Sequence, residues 1–215
     1  MNTRVKICGI NSPGALAAAA AAGADDVGFV FFAASPRGVT PAQAAAISAG
    51  LPGGPLRVGL FVDPDDATLA ATLAEVPLDV LQLHGEESPV RVAEIRARFG
   101  LPVMKAIGIA GAGDLAQIPR YAAVADRLLL DAKAPPGAEL PGGNAAPFDW
   151  GLVRGVAVGR PWLLAGGLTP ANVAQAIAAS GAEGVDVSSG VEQARGVKDP
   201  ARIAAFVAAA RAALD

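Results

Sequence analysis

Eight short apolar runs recur along this 215-residue chain, and each is followed by a stretch that reads as helix. The runs are Val5–Cys8, Val27–Phe31, Arg57–Val62, Val80–Leu83, Val103–Ile107, Arg127–Leu130, Trp162–Ala165 and Gly184–Val187. Most are Val, Ile, Leu and Phe with few polar breaks, which is the pattern of parallel strands covered on both faces. Helices are predicted over Pro13–Ala22, Pro41–Ala49, Asp65–Ala74, Ser88–Phe99, Asp114–Ala122, Asp149–Val156, Pro170–Ala179 and Pro200–Leu214. Ser12, Thr40 and Thr169 each stand directly before a proline, the pairing of a side-chain N-cap with a residue preset for the first helical turn. Gly100 and Gly181 fall where helix C-terminal glycines belong. Spread over the chain this is one βα unit per roughly 27 residues, compact but sufficient for a (β/α)8 TIM barrel. The fold class expected is α/β, with residues 1–215 forming a single barrel domain. A doubly wound open sheet shares the alternation.

Composition narrows the function classes. Hydrophobic residues make up 53% and charged residues 17%, with a net charge of −3. Such a chain buries a large core and is not intrinsically disordered. Its charge gives no general attraction for nucleic acid or an anionic membrane. The uncharged stretch from Ile7 to Ala24 contains Asn11, Pro13 and Gly14 and is otherwise mostly alanine, so no spanning segment is expected. The start does not read as a signal peptide. One cysteine and one histidine leave no internal disulfide and no His-rich metal site, pointing to a reducing, cytoplasmic setting. Neither nucleic acid nor membrane is expected as a partner, and the assembly is expected to be a monomer or homodimer.

In a barrel the C-terminal ends of the strands line the active site. Here those ends carry Cys8, Arg37 after Ser35-Pro36, Asp63, His84, Asp131, Gly166-Gly167 and Ser188-Ser189-Gly190, with Asp186 inside the last run. Cys8 reads either as a small buried hydrophobe or as a reactive thiol. His84 reads either as a ligand-facing donor or as a satisfied polar group. Gly166, Gly167, Ser188, Ser189 and Gly190 follow the last two strands, where barrels commonly bind phosphate through backbone N–H groups. Tight βα turns would also explain the glycines, but both loops together favour phosphate, so the expected partner is a phosphorylated small molecule. Neither a dinucleotide fingerprint nor a P-loop is present.

The motifs Lys6-Ile7-Cys8-Gly9, Ser35-Pro36-Arg37, Leu81-Gln82-Leu83-His84-Gly85, Leu129-Leu130-Asp131, Ala165-Gly166-Gly167-Leu168 and Gly184-Val185-Asp186-Val187-Ser188-Ser189-Gly190-Val191-Glu192 occur in this order. In them the chain resembles the phosphoribosylanthranilate isomerases of tryptophan biosynthesis. That resemblance implies Cys8 as general base, Asp131 as general acid, Arg37 at the anthranilate carboxylate and the last two loops at the phosphate; His84 and Asp186, from their places at strand ends of the same rim, are expected as further substrate contacts. It implies an Amadori rearrangement of N-(5-phosphoribosyl)anthranilate to 1-(2-carboxyphenylamino)-1-deoxyribulose 5-phosphate, needing no cofactor or metal. The chain departs from the family at Gly142-Gly143-Asn144-Ala145, where the family usually has Gly-Gly-Thr-Gly. The chemistry asks for an Asp131 pKa above, and a Cys8 pKa below, the ordinary values. Strand alternation is expected to turn Lys6 away from Cys8. Rival readings are an indole-glycerol-phosphate synthase, for which Lys105 and Lys133 would be the nearby lysine acids, a metal-dependent ribulose-phosphate epimerase, and a non-catalytic phosphate-binding barrel.

Overall fold

The computed structural model describes residues 4–133 and 147–213. Eight strands form a closed barrel in sequence order: β1 (Arg4–Cys8), β2 (Asp26–Val30), β3 (Leu56–Phe61), β4 (Val80–Leu83), β5 (Val103–Ile109), β6 (Arg127–Ala132), β7 (Trp162–Leu164) and β8 (Gly184–Val187). Every neighbouring pair is parallel, and β8 closes on β1 with Lys6 opposite Asp186. All eight predicted strands are present, displaced by at most two residues at an end.

Alternation splits the core into two zones. Val5 and Ile7, Val27 and Phe29, Leu81 and Leu83, Leu128 and Leu130, and Val185 and Val187 join the layer between barrel and helices. The intervening positions face inward: Val58, Val80, Met104, Ala106, Leu129, Leu163 and Ala165 fill the barrel, and Cys8, Val30 and Leu60 form a smaller group. Glycines at inward positions make room for larger neighbours. A Cβ on Gly184 would stand 2.4 Å from Leu163 Cδ2.

The helices are α1 (Pro13–Ala21), α2 (Pro41–Ala49), α3 (Asp66–Glu75), α4 (Pro89–Phe99), α5 (Ile118–Ala122), α6 (Val173–Ser180) and α7 (Pro200–Ala212). Ser12 and Thr40 cap α1 and α2 as expected, accepting from the Ala15 and Gln43 amides. Gly100 and Gly181 end α4 and α6 in the left-handed conformation.

Four expectations are corrected. Asp149–Val156 is not an α-helix: it holds only a 3-10 turn over Trp150–Val153, opened by the Asp149 carboxylate on the Gly151 amide. Four residues cannot cover much barrel surface, and prolines and glycines flank them. Residues 112–122 divide into a 3-10 turn (Ala112–Gln117) and the short α5. Thr169 does not cap α6. Instead Asn172 Oδ1 accepts from the Thr169 amide at 2.7 Å, and the helix begins at Val173. Finally, a small antiparallel hairpin, β9 (Glu192–Ala194) and β10 (Val197–Lys198), stands between β8 and α7, where no strand was expected. The irregular segment predicted over Ala132–Pro147, including the family departure at Gly142–Ala145, lies almost wholly outside the described residues.

Candidate active site

The inner face of β1 supplies two functional groups. Lys6 and Cys8 are two residues apart, and a period of two puts both inside the barrel. The expectation that Lys6 points away from Cys8 is therefore wrong, since only Ile7 between them turns outward. Lys6 is wholly buried and donates to Asp186 Oδ1 at 2.8 Å. Across from them is Gly28. A Cβ there would come within 2.9 Å of Cys8 Sγ and 3.4 Å of Lys6 Nζ, so the glycine vacates the space both groups occupy.

Burial pushes the Cys8 thiol above its ordinary value, with Asp186 adding to the rise, while the Lys6 and Lys198 ammonium groups pull it back. The lowered thiol expected from the sequence is thus not found. Burial acts against the Lys6 charge, but Asp186 and Cys8 override it and hold the ammonium protonated. Burial also pushes Asp186 above its ordinary value, and the Lys6 ammonium held at 2.8 Å pulls it back only in part.

On the far side of the mouth, β6 ends in Asp131. Its Oδ1 accepts from the Ala132 amide at 2.8 Å, and its Oδ2 stands 3.3 Å from His84 Nε2. His84 Nδ1 meets Gln82 Nε2 at 2.9 Å. With the Gln82 amide nitrogen as donor, Nδ1 is the acceptor and the ring proton is on Nε2, facing Asp131. His84 is thereby both satisfied and turned toward the site. His84 and Asp131 line a cavity of about 240 Å³ with Gly85, Lys105, Gly108, Tyr121 and Lys133 among its other walls. Lys105, weighed as a possible acid, is instead committed to Glu87 Oε2 at 2.9 Å and Gly85 O at 2.7 Å. Lys133 pairs with Asp114 at 2.9 Å.

Arg37 is 6% exposed and holds Glu192 in a two-point contact, Nε to Oε1 at 2.7 Å and Nη2 to Oε2 at 3.1 Å. Glu192 also receives Lys198 Nζ at 2.9 Å and the Gly196 amide at 3.0 Å. Burial opposes the Glu192 charge, but Arg37, Lys198 and Gly196 together bring its pKa down to about 2. The hairpin turn is seated on the loop that carries Arg37: a Cβ on Gly196 would stand 2.5 Å from Pro36 O, and Asn11 Nδ2 donates to Gly196 O at 2.8 Å.

The β7 and β8 loops are pressed together. A Cβ on Gly190 would lie 1.8 Å from Leu168 O, and one on Gly166 would lie 2.6 Å from the Ala132 amide nitrogen. Gly166 and Gly167 both have positive φ, at 88° and 66°. Asn172 Nδ2 ties down Gly167 O at 3.0 Å. After β8 the chain makes a 3-10 turn, Ser189–Val191, whose first amides have no acceptor within the turn. Ser188 Oγ donates to Cys8 O at 3.1 Å, and Lys198 Nζ donates to Ser188 O at 2.8 Å. So the candidate phosphate loop, the thiol strand and the Arg37 ion pair form one connected assembly. Sequence reasoning gave Lys6, Gln82, Glu192 and Lys198 no role. Their signal was present: Lys6 and Gln82 are polar residues inside apolar runs, two positions before Cys8 and His84.

These features define a (β/α)8-barrel enzyme with a thiol, a carboxyl–imidazole pair and an arginine gathered at one rim. The N-(5'-phosphoribosyl)anthranilate (PRA) isomerase family matches residues 5–209. The N-(5'-phosphoribosyl)anthranilate isomerase of Paracoccus denitrificans is 60% identical over 212 residues, covering 99% of both chains. That of Rhodospirillum rubrum is 59% identical, covering 97% of this chain and 98% of its own. The crystal structure of phosphoribosyl anthranilate isomerase from Thermotoga maritima superposes with a TM-score of 0.88 at 37% identity, over 98% of this chain and 99% of that one. A further structure of such an isomerase, in complex with reduced 1-(o-carboxyphenylamino)-1-deoxyribulose 5-phosphate, superposes with a TM-score of 0.84 at 36% identity, over 98% and 99%. The chain belongs to the phosphoribosylanthranilate isomerase family.

Proposed function

We propose that this enzyme carries out the Amadori rearrangement of N-(5-phosphoribosyl)anthranilate in the cytoplasm, with Cys8 as base and Asp131 as acid. The carrying observation is the placement of the two groups on inner strand ends of one rim, each with its own polar partner: the Lys6 ammonium beside Cys8 and the His84 imidazole beside Asp131. Asp131 gives its proton to the ribose ring oxygen as the ring opens to an iminium. Cys8, as thiolate, takes the proton from C2, and the electron pair passes into the C1–C2 bond and onto nitrogen. The enol amine then gains a proton at C1 and loses one from its hydroxyl, giving the ketone and restoring both groups. No electrons leave the substrate, so the step asks for no redox partner.

Arg37 is the group for the anthranilate carboxylate. Its Nε and Nη2 are taken by Glu192, and Nη1 makes no hydrogen bond among the described residues. Gly166, Gly167, Ser188, Ser189 and Gly190 provide the amides for the phosphate. Turnover followed by anthranilate-ring fluorescence tests the reading. Cys8→Ser and Asp131→Asn should each lose about 10²- to 10⁴-fold in kcat, the usual contribution of a positioned base or acid, and both should remain folded. A Cys8→Ser enzyme with wild-type turnover would show that the thiol only packs.

A further inference from the structure

A buried thiol makes a poor base unless something in the barrel favours its ionised form, because burial disfavours charge. Among the described residues the groups acting on Cys8 are few. Lys6 is on its own strand, Asp186 on β8, and Lys198 comes from the hairpin. The elements beside it on the β2–β3 side present Gly28, Val30 and Leu60, none of them titratable. Asp26, which faces Lys6 in the β1–β2 register, is claimed by Arg4 at 2.5 and 2.6 Å and approached by Arg127 at 3.6 Å. Asp131 and His84 bear on Asp186.

Lys6 is therefore the cation that bears most strongly on the sulfur, and it is shared. Its Nζ donates to Asp186 Oδ1 at 2.8 Å, while the gap left by Gly28 lets ammonium and thiol stand side by side. Lys6 has no exposure to the mouth, so it sits beneath the substrate rather than against it.

We propose that Lys6 is a positioning residue for the reaction, dividing its ammonium between Asp186 and Cys8 and serving as the counter-ion of the Cys8 thiolate. This rests on Cys8 being the base. Lys6 keeps its proton throughout: the thiolate accepts the C2 proton, and the ammonium, relieved of the sulfur's charge, bears on Asp186 alone. Asp186 acts in opposition, since it competes for Lys6 and its own charge disfavours the thiolate.

The chain has one cysteine, so the ultraviolet absorbance of the thiolate reports Cys8 alone once the matching Cys8→Ser protein is subtracted in each background. Lys6→Met, similar in volume, should raise the titration midpoint by at least about one pH unit, a tenfold loss of thiolate at fixed pH. It should lower kcat by a similar factor at neutral pH while leaving KM within about twofold, as expected for a group that does not touch substrate. Asp186→Asn should move the midpoint in the opposite direction, downward. A merely structural role for Lys6 would not produce opposed shifts. An unchanged or lowered midpoint in Lys6→Met overturns the proposal, as does an unchanged or raised one in Asp186→Asn. If Lys6→Met fails to fold, the Asp186→Asn titration decides alone. The titration needs no turnover. Wild-type kcat in Cys8→Ser would therefore remove the catalytic reading without altering these midpoints.

Discussion

At the residue scale, Arg37 combines an observed ion pair with the carboxylate-binding role proposed for it. The guanidinium is a planar fork, and Glu192 occupies one edge of it in a buried site. A lysine can reproduce the charge but not the two-point geometry. Arg37→Lys should therefore raise KM through the carboxylate end of the substrate and also lower stability by about 2 kcal/mol, the scale of one hydrogen bond to a charged group. The loss stays modest because Lys198 and Gly196 still hold Glu192. Steady-state kinetics and thermal unfolding of the same preparation check both parts. A lower melting temperature with unchanged KM would confine Arg37 to the ion pair.

At the scale of elements, the β7 and β8 loops work as one unit because their backbones touch. Gly190 is glycine because Leu168 O occupies the place of its Cβ. Gly190→Ala must separate the loops, and ångström-scale displacement of a binding group is enough to cost orders of magnitude in rate. KM for the phosphorylated substrate should rise about tenfold or more, and competitive inhibition by inorganic phosphate should weaken in parallel. Gly113 is the matched control. A Cβ there meets nothing within 4 Å, so Gly113→Ala should leave KM unchanged. Equal effects of the two substitutions would rule out the loop contact as the cause. The hairpin β9–β10 belongs to the same scale: it delivers Lys198 under Ser188 and rests its turn on Pro36.

For the whole molecule, the two ends of the barrel separate stability from catalysis. Near the start of the strands, away from the catalytic rim, Arg4 and Arg127 converge on the fully buried Asp26. Asp26→Asn leaves those cations without their counter-charge; because both arginines are partly exposed, the cost should fall below the roughly 3–5 kcal/mol of a fully buried pair. Whatever protein remains folded should have a normal kcat. Near the catalytic rim, Glu192 titrates at about 2 in the folded chain against an ordinary 4.5. A depressed carboxylate stabilises the fold above the unfolded value, and that contribution is lost as pH falls from 4.5 toward 2. Denaturant titrations should therefore show stability falling across this interval. In Glu192→Gln the fall should be shallower by the share of one proton, from a lower starting stability.

The sequence by itself determined the eight strands, their parallel order and the rim on which Cys8, Asp131, His84, Arg37 and the two glycine-bearing loops lie. Apolar runs covered on both faces, proline-marked helix starts and a short βα period are local signals that tertiary packing then satisfied. Where local signals were weak, the reading failed. Asp149–Val156 looked helical but became a 3-10 turn, Thr169–Pro170 looked like a cap but yielded to the Asn172 side chain, and β9–β10 was too short to register as a pattern. Lys6 was within reach of the sequence, since a period of two already placed it beside Cys8. The pairing of Lys6 with Asp186, of His84 with Asp131, and of Arg37 with Glu192 and Lys198 was decided only by the closed barrel. Those partners lie as many as 180 residues apart, and only closure of β8 onto β1 brings Lys6 and Asp186 to 2.8 Å and sets the charge around the thiol.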